Sequence, residues 1–167
     1  MGQATFVRES HLNGNLGLMV KRVAALDIAA STPIFQILGG YVQVTGLYGF
    51  VTVLHAGGAN TIQFRHSVGP TVISTATPAV ASPVGTIYSC LGDPASPVAI
   101  GVGTGVLLTA PPVQGGMKGA GASGIQQMGL VCGIGTIDVT FSVVTAGSTR
   151  YVLTYIPIDE LARVIAV

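Results

Sequence analysis

Every apolar stretch of this chain is short. Gly, Thr, Ser, Pro or a charge interrupts each one, so none reaches the roughly 20 consecutive apolar residues that a membrane-spanning helix requires. Between the interruptions stand Val, Ile, Thr, Phe and Tyr, whose branched or aromatic side chains suit a pleated sheet. Short runs of that kind, bounded by Gly, Pro and Ser clusters, are the signature of a sandwich or barrel. The sequence therefore predicts an all-β chain. The expected form is an antiparallel β-sandwich or jelly-roll-like barrel over residues 26–167, with an extended N-terminal arm over residues 1–25.

Candidate strands fall at residues 34–38, 41–44, 50–55, 61–68, 85–91, 106–109, 130–132, 136–144 and 149–156. The clearest is Ile137-Asp138-Val139-Thr140-Phe141-Ser142-Val143. Strict alternation there puts Ile137, Val139, Phe141 and Val143 on one face and polar residues on the other. After the turn Thr145-Ala146-Gly147-Ser148, the segment from Thr149 to Tyr155 returns with Tyr151, Leu153 and Tyr155 on one face. These two segments are expected to pair as a hairpin. A second hairpin is expected between residues 50–55 and 61–66 across Ala56-Gly57-Gly58-Ala59-Asn60, where glycine permits a tight turn. Residues 71–83 and 110–124 read as loops on their proline and glycine content. The second is long enough to suggest a functional loop or one ordered by a partner. No repeat is visible.

The N-terminal stretch gathers Arg8, Glu9, Lys21 and Arg22 around the loose sequence Asn13-Gly14-Asn15-Leu16-Gly17. It reads as an arm. The alternative is an ordinary first strand centred on Leu18-Met19-Val20. On the arm reading, Phe6, Arg8, Lys21 and Arg22 are the residues expected to touch a partner chain.

Of the 167 residues 49% are hydrophobic and 8% charged, against about 25% charged in an average soluble protein. That length holds one domain with a sizeable core, or one domain and an arm. A net charge of +1 leaves no clustered Lys and Arg for a phosphate backbone, so no nucleic acid is expected as partner. No membrane partner is expected either. The opening residues lack the pattern of a secretory signal, and Phe6 stands where N-myristoylation wants Ser or Thr. Synthesis and retention in a cytosol follow as the expectation. Cys90 and Cys132 lie far apart without a nearby His, and read as two reduced, buried thiols.

Chemistry-bearing motifs are few. Gly119-Ala120-Gly121-Ala122-Ser123-Gly124 has the spacing GxGxxG, but no buried strand precedes it and no crossover helix follows, so a loop is expected and not a dinucleotide site. His11, His55 and His66 have no carboxylate or Cys at ligand spacing, and no metal is expected. Asp159-Glu160 are neighbours on an extended chain and face apart. They read as a solvated tail, not an acid/base pair. There is no GxSxG elbow. The expectation is no catalytic residue, no cofactor and no enzyme.

The ending Tyr151-Val152-Leu153-Thr154-Tyr155-Ile156-Pro157-Ile158-Asp159-Glu160, preceded by the 137–143 strand, resembles the close of small structural proteins of tailed bacteriophages. The segments Ile34–Gly49 and Gly85–Pro94 fit the same pattern. Within that group the likeness, over roughly residues 27–160, is greatest to capsid decoration (cement) proteins. The resemblance implies a virion structural protein on the capsid surface, made in the host cytoplasm. Proteins of that kind often trimerise and can grip neighbours through an N-terminal arm, and the resemblance implies a trimer that bridges subunits of the major capsid protein. It implies no catalytic residue. The different reading left open is a tail or fibre module that binds a carbohydrate or receptor, although the chain has no Trp and only five Tyr and five Phe for stacking on sugars.

Overall fold

The computed structural model describes residues 17–25, 31–56, 60–68, 71–79, 81–90, 98–101, 130–143 and 146–167. Among them are twelve strands: β1 (Leu18–Ala25), β2 (Thr32–Leu38), β3 (Val42–Ala56), β4 (Thr61–His66), β5 (Thr71–Val72), β6 (Thr77–Pro78), β7 (Ile87–Cys90), β8 (Ala99–Gly101), β9 (Leu130–Cys132), β10 (Gly135–Phe141), β11 (Ala146–Pro157) and β12 (Arg163–Ala166). No described helix is long and apolar enough to cross a membrane.

The strands form two antiparallel sheets. Sheet one runs β1-β11-β3-β7-β8, with β9 also on β3; sheet two runs β12-β2-β10-β4-β5, with β6 also on β4. The alternation read from the sequence decides which side of each strand faces the other sheet. Ile137, Val139 and Phe141 of β10 are buried, as are Tyr151, Leu153 and Tyr155 of β11. Phe64 of β4 meets Tyr151 edge-on with ring centroids 6.2 Å apart, which places side chains of the two sheets in one shared core. The chain is therefore an all-β antiparallel sandwich.

Both expected hairpins are overturned. β10 lies in sheet two between β2 and β4, whereas β11 lies in sheet one between β1 and β3. Each strand has both edges occupied, so neither has an edge for the other. Likewise β3 belongs to sheet one and β4 to sheet two. The two connections that were expected to be turns cross from sheet to sheet. Their described ends meet: the Ser142 Oγ accepts from Thr61 N at 2.9 Å, Ser142 N donates to the Thr61 carbonyl, and Asn60 Oδ1 accepts from Ser142 Oγ and Val143 N at 3.2 Å each. Buried Asn60 thus ties the crossings together.

The expected strands 41–44 and 50–55 are the two ends of one 15-residue strand, β3. A bulge hides the continuity. Gly46 pairs with Thr154 and Val44 with Tyr155, which makes Thr45 the extra residue of the bulge. The extra residue switches the inward parity, from Val42 and Val44 on one side of it to Leu47 and Val51 on the other. A similar bulge in β2 skips Ile34 in the register with β10 and buries both Ile34 and Phe35.

Other expectations shift in detail. The stretch 71–83 contains the two-residue strands β5 and β6, which pair with β4. The solvated tail ends in a strand: β12 pairs with β2 through Arg163↔Leu38 to Ala166↔Phe35. Of the expected arm, residues 18–25 form β1, which pairs with β11 from Leu18↔Tyr155 to Ala25↔Ser148 without a register shift. Residues 1–16, the 106–109 strand, the 110–124 loop and the GxGxxG stretch lie outside the described residues.

Candidate interaction surface

The two sheets present unlike faces to the outside. On sheet two Ile165 of the edge strand β12 lies exposed opposite Gln36, and the outward positions of β2, β10 and β4 are Gln36, Thr136, Asp138, Thr140, Gln63 and Arg65. They bond among themselves and to the neighbouring Ser31. The Thr136 hydroxyl donates to Asp138 Oδ1 at 2.6 Å and Ser31 Oγ donates to Asp138 Oδ2 at 3.1 Å. A face of hydroxyls, amides and charges is at ease in water.

Sheet one is different. Cross-strand register puts Met19, Lys21 and Val23 of β1 on its outward face, opposite Thr154, Val152 and Arg150 of β11. Those in turn lie opposite Gly46, Tyr48 and Phe50 of β3, and Phe50 lies opposite Ile87 of β7. Ile156 and Val131 flank Gln43 on the same side. Met19 is 57% exposed, Val23 65% and Val131 55%, so this is a broad apolar surface in contact with solvent. The Arg150 guanidinium stands 5.3 Å above the Phe50 ring, which orients the cation on the face.

Of the residues expected to touch a partner, Phe6 and Arg8 lie outside the described residues. Lys21 and Arg22 separate. Lys21 is exposed on the apolar face of sheet one; Arg22 points inward opposite Tyr151, and its Nη1 is buried without a hydrogen-bond acceptor. An inward charge on an edge strand disfavours the addition of a further strand, so β1 offers its face and not its edge. Arg150, Tyr48 and Val152 were not singled out from the sequence. The outward parity of Val152 was readable from β11 alone, but its neighbours on β1 and β3 were not.

The two described histidines have separate partners. His11 lies outside the described residues. His55 is buried, with Nε2 at 2.9 Å from Thr149 Oγ1 and Nδ1 at 3.3 Å from the Tyr88 hydroxyl; in a neutral imidazole one nitrogen donates and the other accepts. His66 Nδ1 accepts from Val68 N at 3.3 Å, leaving Nε2 to donate to the Gly133 carbonyl at 3.2 Å. Both rings have their nitrogens engaged and brace the fold. Among the described residues no three His, Cys, Asp or Glu side chains are placed to hold a metal. Cys90 and Cys132 are buried and unbonded to each other, and burial, aided by Cys90, pushes the Cys132 thiol up to about 12. Asp159 and Glu160 are exposed in the turn before β12, where Asp159 Oδ2 accepts from Tyr41 N at 2.6 Å.

Burial also holds the His55 imidazole below its ordinary value of 6.5, partly offset by a backbone bond at Ser148. Below pH 6.5 the unfolded chain therefore binds a proton that the folded chain refuses. The stabilisation from this group is complete above that pH and declines as pH falls toward the lowered value. Urea midpoints measured from about pH 7.5 to about pH 5 are expected to fall in the parent chain and to stay flatter in His55→Gln; equal slopes would show that His55 is not the group responsible.

At one end of the sandwich Gly40, Tyr41, His66, Val68, Gly133 and Ile134 line an open cleft of about 410 Å³. The Tyr41 ring, 57% exposed, lies close over Gly133, where a Cβ would stand 3.1 Å from its edge. Set against protein-family models, curated proteins and solved structures, the chain finds no match in any of the three comparisons.

Proposed function

We propose that this chain is a structural protein of a tailed-bacteriophage virion, a capsid decoration or cement protein that stabilises the shell by bridging subunits of the major capsid protein. The observation that carries the reading is the contrast between the two outer faces: sheet two is polar across β2, β10 and β4, with Ile165 of β12 exposed at its edge, whereas sheet one keeps Met19, Val23, Tyr48, Val131, Val152 and Ile156 on its solvent side. Burying such a face under a neighbour gives roughly 25 cal/mol per Å² of apolar area, a gain the isolated chain forgoes. The buried histidines, each with both nitrogens occupied, offer a substrate nothing to react with. The reading places the protein on the capsid surface as a homotrimer, with residues 1–16 reaching a neighbour.

The test is co-sedimentation with capsids purified from the source of the gene, together with light scattering of the chain intact and lacking residues 1–16, which leaves β1 whole. Binding to capsids and a trimer weakened by the deletion are expected. A monomer that ignores both the deletion and the capsid would overturn the proposal. A tail or fibre module that binds a carbohydrate is the second reading, favoured by the exposed Tyr41 ring at the mouth of the cleft, since such a ring offers a face for a sugar. A glycan array probed with the parent chain and Tyr41→Ala separates the two: Tyr41-dependent sugar binding without capsid binding would establish the second.

A further inference from the structure

Within the apolar face of sheet one stand two cations. Lys21 lies opposite Val152, and Arg150 lies opposite Val23, so the two are diagonal neighbours on adjacent strands, a spacing of roughly 7 to 8 Å. Both are exposed. The described carboxylates are elsewhere: Asp138 belongs to the outward face of sheet two, where it binds hydroxyls, and Asp159 and Glu160 belong to the turn before β12. The face is therefore apolar and cationic, with no acid of its own among the described residues.

That charge pattern selects the occupant. Covering Lys21 and Arg150 with a purely apolar surface would strip water from two like charges and return nothing. A second copy of the same face would bring the two cations no carboxylate, since none of its described residues is an acid. A protein surface that is apolar and carries at least one carboxylate over the diagonal would answer both requirements. We infer that the outward face of sheet one docks on a partner protein of that chemistry, with Lys21 and Arg150 as the paired recognition cations. The inference rests on the structural role proposed above and names the face and the complement it requires. The Phe50 ring, 5.3 Å beneath the Arg150 guanidinium, keeps that cation on the face.

Anilinonaphthalene sulfonate, an apolar ring system with one fixed anion, is a minimal mimic of that complement, and uncharged phenylnaphthylamine is its control. The parent chain is expected to bind the sulfonate dye more tightly than the uncharged one. The double variant Lys21→Glu/Arg150→Glu is expected to weaken the sulfonate about tenfold or more, the loss of roughly one charge-assisted contact, while Arg163→Glu on sheet two changes it by less than about twofold. If the double reversal does not fold, judged by its urea midpoint, Lys21→Gln/Arg150→Gln replaces it. Dye binding indifferent to these changes, or equally sensitive to Arg163→Glu, overturns the inference. So does a concentrated parent chain that dimerises through this face and is returned to its starting mass by Val152→Asp, because the occupant is then a second copy. Capsid binding undiminished by the reversal discards the face and keeps the structural role. Absence of capsid binding by the parent chain discards the structural role, and the dye then decides the face alone.

Discussion

Phe64→Ala is expected to destabilise the fold by about 3 to 5 kcal/mol, the cost of deleting a fully buried aromatic and leaving a partly collapsed cavity. Phe64 has no exposed surface and stands where the two sheets meet, edge-on to Tyr151 and opposite Val139 on β10. Its backbone is fixed as well: Phe64 N donates to Ser74 Oγ at 3.0 Å, and its carbonyl accepts from Ile73 N. The cavity therefore cannot close by a shift of β4 alone. Urea unfolding measures the effect through a lower midpoint at unchanged slope. Phe50→Ala, on the outward face of sheet one, is the comparison and should cost less than about 1 kcal/mol. Similar losses for the two would mean that Phe64 does not fill the space between the sheets.

The second large effect is expected at the passage from β2 to β3. Gly39 has φ +76°, and a Cβ placed there would fall against the Leu161 carbonyl oxygen. Valine at that position meets the strain of a left-handed backbone, about 1 to 3 kcal/mol, in addition to a clash with main chain. Nearby, Ile158 N and Asp159 N donate to the Tyr41 carbonyl, and Ala162 N donates to that of Asp159. The turn that launches β12 is thus seated on the passage from β2 to β3. Gly39→Val is expected to cost at least about 2 kcal/mol and to lift that turn. Faster amide hydrogen exchange at Arg163 and Ile165, whose N–H groups, unlike that of Val164, point toward β2, with exchange at Val139 much less affected, is the specific signature. Unchanged exchange at both would show that the seat does not hold β12.

What the sequence disclosed follows from what alternation encodes. Period two reports which side of a strand is buried, and it did so for Ile137, Val139 and Phe141 and for Tyr151, Leu153 and Tyr155. It carries no information about the lateral neighbour. Both hairpins were inferred from proximity along the chain, and each connection instead crosses between sheets. The bulge at Thr45 shifted the phase of a single strand and made it read as two. β12 escaped notice because Asp159 and Glu160 precede it and only Val164 of its four residues is buried. The interaction face was half legible: Val152 and Ile156 were outward by parity, and Lys21 was noted as a charge. Their assembly into one surface depended on Lys21 meeting Val152 across residues far apart in sequence, which only the register supplies.

The crossing connections also bear on when the molecule can come into being. Leu18 pairs with Tyr155, Phe35 with Ile137 and Ala166, and Leu47 with Leu153. Early strands thus wait for partners that lie far later in the sequence. A nascent chain can form the ladders of β3 with β7 and of β4 with β5 and β6 early, but β1 and β2 remain without their sheet partners until β10, β11 and β12 emerge. Such non-local pairing is slow and leaves strand edges open to other chains. Both sheets can close only once β10, β11 and β12 are available together, because they supply the central and closing partners of β1, β2 and β3.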